Sequence, residues 1–212
     1  MNLSEKEISY KTINSYSTLN KLTSATQKII FTCHGMGYLS RYFLKYFKEL
    51  NSTRYYIIAP QAQSKYYIAP KMKYVGSSWL TKENTLTETN NIINYFDKIF
   101  KEEKINTNHI NYVGYSQGVS VIMRYIAKKK IQFDKLLIMS GGIPKELHAN
   151  NFKYLKKKST IYYIYGNKDE YINGEYLNDE LKKVESLFKN VKIICFEGKH
   201  EFNKELIKEI IK

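Results

Sequence analysis

Cysteine, proline, tryptophan and histidine are scarce in this chain of 212 residues, which has two cysteines, three prolines, one tryptophan and four histidines. Two cysteines cannot supply the disulfide framework of a small secreted module. Cys33 and Cys195 each lie in an apolar run typical of a buried strand, and neither has the spacing of a metal ligand. We therefore expect two packed thiols, with neither a disulfide nor a metal site.

Long apolar runs are also absent. No run approaches the roughly 18 residues that cross a bilayer, and the N-terminal segment MNLSEKEISYKTIN lacks the apolar core and cleavage site of a secretory signal. We expect a soluble, cytoplasmic protein without a membrane span. A hydrophobic share of 43% is ordinary for a globular protein, and the length predicts a single domain over residues 1–212.

Acidic residues are few, with 20 Asp and Glu against 34 Lys and Arg, so the formal net charge is +14. Such an excess can favour nucleic acid or anionic membranes. Lysine accounts for nearly all of it, and the only runs, Lys128–Lys130 and Lys156–Lys158, are short and lie where elements end. We interpret the lysines as a solvated face. We expect no nucleic-acid partner and at most a weak attraction to anionic surfaces.

Short β-branched or aromatic runs alternate with longer amphipathic segments from residue 27 onward, which predicts an α/β fold with a mostly parallel central sheet and helices on both faces. The predicted strands are Lys28–Cys33, Tyr55–Ala59, Ile110–Val113, Lys135–Met139, Thr160–Tyr165 and Val191–Phe196. The predicted helices are Leu39–Leu50, Thr87–Glu102, Gly118–Lys128, Gly174–Phe188 and Glu201–Ile211.

Two further segments carry weaker patterns. Within residues 1–26, Ile8–Thr12 and Tyr16–Leu19 resemble antiparallel edge strands. Residues 60–86 form the longest stretch without clear periodicity, and loops of that length are usually functional or mobile. We expect this stretch to border a site, and we find no insertion large enough for a separate lid domain.

The strongest local motif is Gly114-Tyr115-Ser116-Gln117-Gly118, in which a predicted strand runs into G-x-S-x-G and then into a helix. This context is that of a nucleophile elbow, a tight turn that lifts a serine oxygen clear of the sheet. Glycines two positions before and after the serine let strand and helix backbones approach closely. Ser116 is therefore the candidate nucleophile. A turn serine without chemistry is the alternative.

A serine hydroxyl needs a base, and four histidines are available. His200 follows the last predicted strand in a glycine-containing loop, at the carboxyl end of the sheet where such sites form. His148 lies in a loop-like polar stretch and is an alternative. His109 opens the strand that leads to Ser116, so we expect it at the opposite end of the sheet.

The acid that orients the base should come from another loop at the same edge. Asp169 follows the strand Thr160–Tyr165 and fits this role, with Glu170 as the alternative. The remaining candidates, Asp97, Asp134 and Asp179, lie inside helices or just before strands and are interpreted as surface residues or caps. The order Ser116, Asp169, His200 is the chain order of α/β-hydrolase triads.

A second motif, Cys33-His34-Gly35-Met36-Gly37, closes the first main strand. Two backbone N–H groups can stabilise the oxyanion of a tetrahedral intermediate, and we assign them to Met36 and Gln117. Gly35 and Gly37 would let the loop fold towards the nucleophile, and the His34 ring would hold that loop. A plain glycine-rich turn or a phosphate site is the alternative, although G-x-G alone is weak support for a nucleotide.

These residues resemble the α/β-hydrolase superfamily and, within it, the small carboxylesterases and acyl-protein thioesterases of the phospholipase/carboxylesterase family. The resemblance covers most of the chain. It rests on His34-Gly35-Met36-Gly37, Gly114-Tyr115-Ser116-Gln117-Gly118, Ser140-Gly141-Gly142, Gly166-Asn167-Lys168-Asp169 and Gly198-Lys199-His200, with Ile58-Ala59-Pro60 and Trp79 as further elements.

The resemblance implies a lidless enzyme that cleaves carboxylic esters or thioesters of a small-molecule or acylated substrate, using no cofactor or metal. The chain departs from the thioesterase branch at two places. Tyr38 stands where an acidic residue commonly follows H-G-x-G, and Glu170-Tyr171-Ile172 replaces an apolar, proline-bearing continuation. Both departures favour the broader function of a carboxylesterase. Residues expected to line an acyl pocket, or else to pack in core or loops, are Tyr66, Tyr67, Trp79 and Ile143.

Two other functions stay open at this point. The same triad could serve an acyltransferase, a peptidase or a lysophospholipase, because elbow chemistry does not specify the bond or the acceptor. A non-catalytic basic protein on a hydrolase-like scaffold would instead bind nucleic acid or membrane with strong salt dependence and an unreactive Ser116.

Overall fold

A computed structural model describes residues 3–107 and 109–212, and its centre is a seven-stranded sheet. Six strands run parallel and match the six predicted strands to within two residues at either end. The strands are β1 (Tyr16–Leu19), β2 (Lys28–Cys33), β3 (Tyr55–Pro60), β4 (Ser64–Tyr67), β5 (Val75–Ser78), β6 (Ile110–Tyr115), β7 (Lys135–Met139), β8 (Thr160–Gly166) and β9 (Val191–Phe196).

The strand order in the main sheet is β1-β3-β2-β6-β7-β8-β9, with β1 antiparallel to β3 and the other pairs parallel. The chain runs outward from β2 to β3, then returns past β2 to β6 and continues to β9. Its direction of progress therefore reverses between β2 and β6. A crevice at the carboxyl ends of two such strands is the usual ligand position in open α/β sheets.

Helices cover both faces of this sheet, as predicted. One face packs against α2, α3 and α4, and the other packs against α1 and α5. Alternate residues of β2 enter the two cores, with Phe31 on the first face and Ile30 on the second, which is the two-residue period of a strand. The helices are α1 (Ser40–Phe43), α2 (Thr85–Glu102), α3 (Gln117–Lys129), α4 (Gly174–Leu187) and α5 (Lys204–Ile211).

The structure corrects three expectations about local structure. The segment Leu39–Leu50 is a short α-helix that continues as the 3-10 helix Leu44–Phe47. Residues 8–12 are exposed and form no strand, whereas Tyr16–Leu19 is the predicted edge strand. Cys195 is exposed because β9 is an edge strand, and Cys33 is buried as expected.

The aperiodic stretch 60–86 contains a small antiparallel hairpin, β4–β5, which stands apart from the main sheet. Its exposed strand β4 carries no alternating apolar pattern, which is why periodicity did not predict it. Within residues 3–107 and 109–212, no helix is long and apolar enough to cross a membrane.

Candidate active site

Ser116 lies between β6 and α3, at the reversal point of the sheet, with φ 52° and ψ −122°. The neighbouring glycines make this tight turn sterically possible. A Cβ on Gly118 would stand 2.1 Å from the carbonyl oxygen of Cys33, and one on Gly114 would stand 2.7 Å from Cα of Val119. Strand and helix therefore approach each other as closely as the G-x-S-x-G spacing predicts.

His200 lies in the loop between β9 and α5, with its ring between a hydroxyl and a carboxylate. Its Nε2 is 2.9 Å from Oγ of Ser116, and its Nδ1 is 2.9 Å from Oδ2 of Asp169. The His200 side chain is 15% exposed and that of Asp169 is fully buried. Three residues widely separated in the chain thus form one line of hydrogen bonds, an arrangement that can carry a proton away from the hydroxyl.

The Asp169 carboxylate is held by its own loop after β8. Its Oδ1 accepts hydrogen bonds from the backbone amides of Tyr171 at 2.9 Å and Ile172 at 3.0 Å. These bonds satisfy a carboxylate that burial would otherwise penalise. They also turn the second oxygen, Oδ2, towards the ring of His200.

The alternative candidates lie elsewhere or make other contacts. Oε2 of Glu170 accepts from the backbone N–H of His200 at 3.3 Å and contacts no ring nitrogen at hydrogen-bond distance. His148 is exposed beside the 3-10 helix Ala149–Phe152. His109 pairs with Asp134 at 3.2 Å, before the start of β6 and hence at the opposite end of the sheet from Ser116.

The turn after β2 packs directly against the nucleophile turn. A Cβ on Gly35 would stand 3.1 Å from Cβ of Ser116, and the N–H of Gly37 donates to the carbonyl of Ser77 at 2.8 Å. In the described part of the chain, the amide of Met36 donates to no other residue. The amide of Gln117 is in the first residue of α3, where N–H groups have no intrahelical partner. Both assigned donors are therefore available to a ligand.

His34 is fully buried beneath this turn. Its Nε2 lies 3.3 Å from the donating amide of Ala62, so Nδ1 carries the proton and donates to the carbonyl of Gly35 at 2.7 Å. Burial lowers the pKa of His34 to about 4, against a smaller opposing effect of the Gly35 bond. The ring is neutral at pH 7 and joins the turn to the start of the 60–86 stretch.

The side chain of Gln117 makes contacts that sequence reasoning missed. Its Oε1 accepts from the N–H of Trp79 at 2.8 Å, while its Nε2 donates to Oγ of Ser78 at 3.0 Å and to the carbonyl of Leu80 at 2.8 Å. The stretch 60–86 therefore does border this site. Two features of the sequence could have indicated these contacts: a glutamine directly after Ser116, and the long stretch 60–86 in which no helix or strand was predicted.

Comparison with known proteins identifies the family. A family model described as phospholipase/carboxylesterase matches residues 14–212. The chain belongs to the phospholipase/carboxylesterase family. It is a hydrolase of the esterase and thioesterase type. A comparison with curated protein sequences finds no match.

Solved structures of this hydrolase fold are similar over nearly their whole length. Esterase PE8 is 16% identical with a TM-score of 0.68, covering 93% of this chain and 99% of its own. Acyl-protein thioesterase 2 from Zea mays is 11% identical with a TM-score of 0.67, covering 93% and 96%. A phospholipase/carboxylesterase from Dyadobacter fermentans is 18% identical with a TM-score of 0.67, covering 95% and 96%. At these identities the likeness shows the α/β-hydrolase fold alone.

This carboxylesterase-family chain carries packed aromatic side chains at the two places where its sequence departs from the thioesterase branch. Tyr38 lies edge-on to Tyr115 with ring centroids 6.0 Å apart, and its hydroxyl is 3.3 Å from that of Tyr46. Burial and the Tyr46 contact raise the pKa of Tyr38 well above the usual range. Tyr171 lies edge-on to the ring of His200 at 4.8 Å. Aromatic side chains thus pack at the two positions where the sequence departs from the thioesterase branch.

Of the four predicted pocket residues of the hydrolase, two are buried and two are exposed. Trp79 is 1% exposed and packs on Phe96, so it is a core residue. Ile143 is also buried, and its N–H donates to Glu180 at 2.8 Å. Both are corrected from pocket to core, because long-range packing covers them. Tyr66 and Tyr67 are exposed on β4, and the Tyr66 hydroxyl would lie 3.8 Å from a Cβ on Gly37.

Proposed function

We propose that this hydrolase cleaves carboxylic esters or thioesters through an acyl intermediate on Ser116. The observation that carries the proposal is the hydrogen-bonded line from Oγ of Ser116 through His200 to the buried Asp169. The amide of Met36 has no partner among the described residues, and the amide of Gln117 opens α3 directly after Ser116, which supports the proposal. The expected substrate is a small ester or an acylated molecule with an accessible carbonyl.

The reaction follows from these contacts in two halves. His200 takes the Ser116 proton as the oxygen attacks the carbonyl, and Asp169 stabilises the resulting imidazolium. The Met36 and Gln117 amides hold the oxyanion, and each such donor lowers the barrier by about 3 kcal/mol. The alcohol or thiol then leaves with the proton from His200. Water then gives a proton to His200 and attacks the acyl carbonyl, and His200 returns that proton to Oγ of Ser116 as the acyl–oxygen bond breaks and the acid leaves.

The same geometry is compatible with an acyltransferase, a peptidase or a lysophospholipase. These enzymes differ in the acceptor that attacks the acyl-serine or in the bond that is broken, and neither is determined by the line of hydrogen bonds. A panel of esters, thioesters, amides and lysophospholipids, each offered with and without an alcohol acceptor, would separate them.

The test of the proposed nucleophile is a series of p-nitrophenyl esters from acetate to decanoate, hydrolysed by the wild type and by Ser116→Ala. We expect Ser116→Ala to lose activity by about a thousandfold or more, because the covalent route disappears. A fluorophosphonate probe located by mass spectrometry should label Ser116 in the wild type.

Ser120→Ala is the matched control, because Ser120 lies on the same helix α3 and outside the line of hydrogen bonds. It should keep wild-type activity and labelling. A wild type that hydrolyses no ester and takes up no label would refute the proposal and favour a non-catalytic basic protein.

A weak attraction to anionic surfaces, expected from the +14 charge, has a candidate location on the β4–β5 hairpin. Its exposed apolar side chains stand among the lysines Lys65, Lys71 and Lys73. The apolar group comprises Tyr66, Tyr67, Ile68, Met72, Tyr74 and Val75, which are 37% to 63% exposed. Apolar side chains bordered by lysines suit an interface with anionic lipid, so we propose this hairpin as the contact.

A further inference from the structure

Tyr115 is the last residue of β6 and immediately precedes Ser116, yet the reaction described above gives it no task. Its ring is 4% exposed and lies between several parts of the site. A Cβ on Gly35 would be 3.1 Å from ring carbons Cδ1 and Cε1 of Tyr115, so the ring packs against the oxyanion turn. On its other sides it stacks on Phe43 at 6.1 Å and meets Phe202 edge-on at 5.7 Å. The ring is therefore held in one position.

The Tyr115 hydroxyl reaches across to the loop that carries the histidine. It donates to the backbone carbonyl of His200 at 3.0 Å. Burial raises the pKa of Tyr115 well above the usual range, so the hydroxyl stays protonated and able to donate. One strand end thus carries both Ser116 and a direct bond to the peptide of the base.

The loop between β9 and α5 is attached before His200 by the bond from the amide of Lys168 to the carbonyl of Gly198 at 2.8 Å. The Tyr115 bond adds an attachment at the His200 peptide itself. On the preceding side, the N–H of His200 donates to Glu170 at a longer 3.3 Å. The ring itself is covered at one edge by Tyr171, which is exposed. Of these contacts, the Tyr115 bond is the one made by a buried residue of the sheet.

We propose that Tyr115 is a positioning residue for His200. By holding the His200 carbonyl, the Tyr115 hydroxyl keeps the imidazole Nε2 within hydrogen-bond distance of Oγ of Ser116. Because Tyr115 directly precedes Ser116, the end of one strand positions both the base and the nucleophile. The inference rests on the proposed function and adds to it a residue that acts through the backbone of His200, beside whose ring its own ring lies at 5.6 Å. Small errors in such distances reduce rates strongly.

The test is Tyr115→Phe, which keeps the ring and removes only the hydroxyl. We expect kcat per titrated active site to fall about tenfold, the value of one lost hydrogen bond in the barrier, with KM within about twofold of the wild type. Labelling by the fluorophosphonate should slow by the same factor, because it also requires His200 as base but needs no acyl pocket. Normalising to titrated sites removes any contribution from misfolded protein.

Tyr163→Phe is the matched control. Tyr163 is a buried tyrosine on β8 whose hydroxyl has no hydrogen-bond partner among the described residues. This variant should keep kcat, KM and labelling rate, so the loss in Tyr115→Phe would be specific to the bond with His200.

Three outcomes would overturn the proposal. Unchanged kcat and labelling per site in Tyr115→Phe would refute the positioning role while leaving Ser116 as the labelled nucleophile. A raised KM with unchanged kcat would place Tyr115 in substrate binding instead. A wild type without hydrolysis or labelling would overturn the inference together with the proposed function, and is thereby distinguished from the first two outcomes.

Discussion

The backbone of Ser116 is held in an unusual conformation by its neighbours. Ser116 is a non-glycine residue at φ 52°, a conformation that costs free energy and persists only where its surroundings require it. Its N–H donates to the carbonyl of Met139 at 2.9 Å, and the neighbouring strand end thereby secures the turn. These surroundings hold Ser116 in the conformation of a tight turn between β6 and α3.

His34 should make the stability of the protein depend on pH. Its pKa is about 4 in the folded state against 6.5 for the free side chain, so the unfolded chain binds a proton in this interval that the folded chain does not. The stabilisation that comes from a neutral His34 is therefore fully present above pH 6.5 and is lost as the pH falls towards 4. The expected loss is roughly 3 kcal/mol, measured by urea unfolding across this range.

His34→Gln removes the titrating group and tests the cause. This variant should be less stable at pH 7, because the ring packs on Trp79 at 5.0 Å, and its stability should vary less between pH 6.5 and 4. His148→Gln, which removes an exposed imidazole, serves as the control. Equal pH dependence in His34→Gln and the wild type would contradict the prediction.

At the scale of elements, the β4–β5 hairpin and the segment after it are held in place by hydrogen bonds to neighbouring segments. Ser77 accepts the amide of Gly37 on its carbonyl and donates its hydroxyl to the carbonyl of Tyr38 at 2.7 Å. The buried Gln61 donates to that same hydroxyl at 2.7 Å. Hydrogen bonds, rather than an apolar face, thus attach the hairpin to the turn after β2.

Gln117→Met should loosen the segment that follows the hairpin while preserving side-chain size. The Trp79 amide loses its acceptor, so we expect its hydrogen exchange to accelerate by about tenfold or more. Trp79 is the sole tryptophan, and its fluorescence emission should shift to the red as water gains access. Hydrogen exchange and fluorescence on the same sample measure both effects.

Gln132→Met is a matched control for this variant. Gln132 binds a different loop in the same manner, donating to the carbonyl of Tyr154 at 2.7 Å and accepting from the amide of Lys156 at 3.1 Å. It should accelerate exchange at Lys156 and leave Trp79 unchanged. Equal emission in the wild type and Gln117→Met would show that other contacts suffice to hold Trp79.

Over the whole molecule, the positive charge is balanced in some places and unpaired in others. Glu49 is paired with Lys204 and Lys208 at 3.1 and 2.7 Å, and these lysines hold the pKa of Glu49 at about 2. Such exposed pairs add little to stability. The larger consequence of the +14 charge is a long-range field that salt screens.

Reversing three hairpin charges, Lys65→Glu, Lys71→Glu and Lys73→Glu together, should abolish binding to vesicles that contain phosphatidylserine. The lysines lie beside exposed aromatic side chains there, so attraction and apolar insertion act at one place. Binding by the wild type should also weaken as salt is added. Vesicle co-sedimentation at low and high salt measures both effects.

The control reverses Lys156, Lys157 and Lys158 to Glu, which changes the net charge by the same amount away from the hairpin. If both triple variants lose binding equally, the net charge and not the hairpin is responsible. If the wild type does not bind such vesicles at low salt, the proposed surface is wrong.

The order of the elements and the candidate chemistry follow from the amino-acid sequence alone. Apolar and β-branched runs predicted the six parallel strands, and local glycine spacing indicated the turn at Ser116. Chain order together with strand ends placed Asp169 and His200 at one edge, because parallel strands share their carboxyl ends. These features depend on neighbouring residues or on the direction of the chain.

Which side chains meet, and which are covered, depends on how distant segments pack in three dimensions. Ser116 and His200 are 84 residues apart, and their 2.9 Å contact results from the packing of separate loops. Trp79 became core and Cys195 became exposed for the same reason, since burial depends on what packs above a residue. The bond from Tyr115 to the His200 carbonyl left no pattern in the sequence, because its acceptor is a backbone group that every residue possesses.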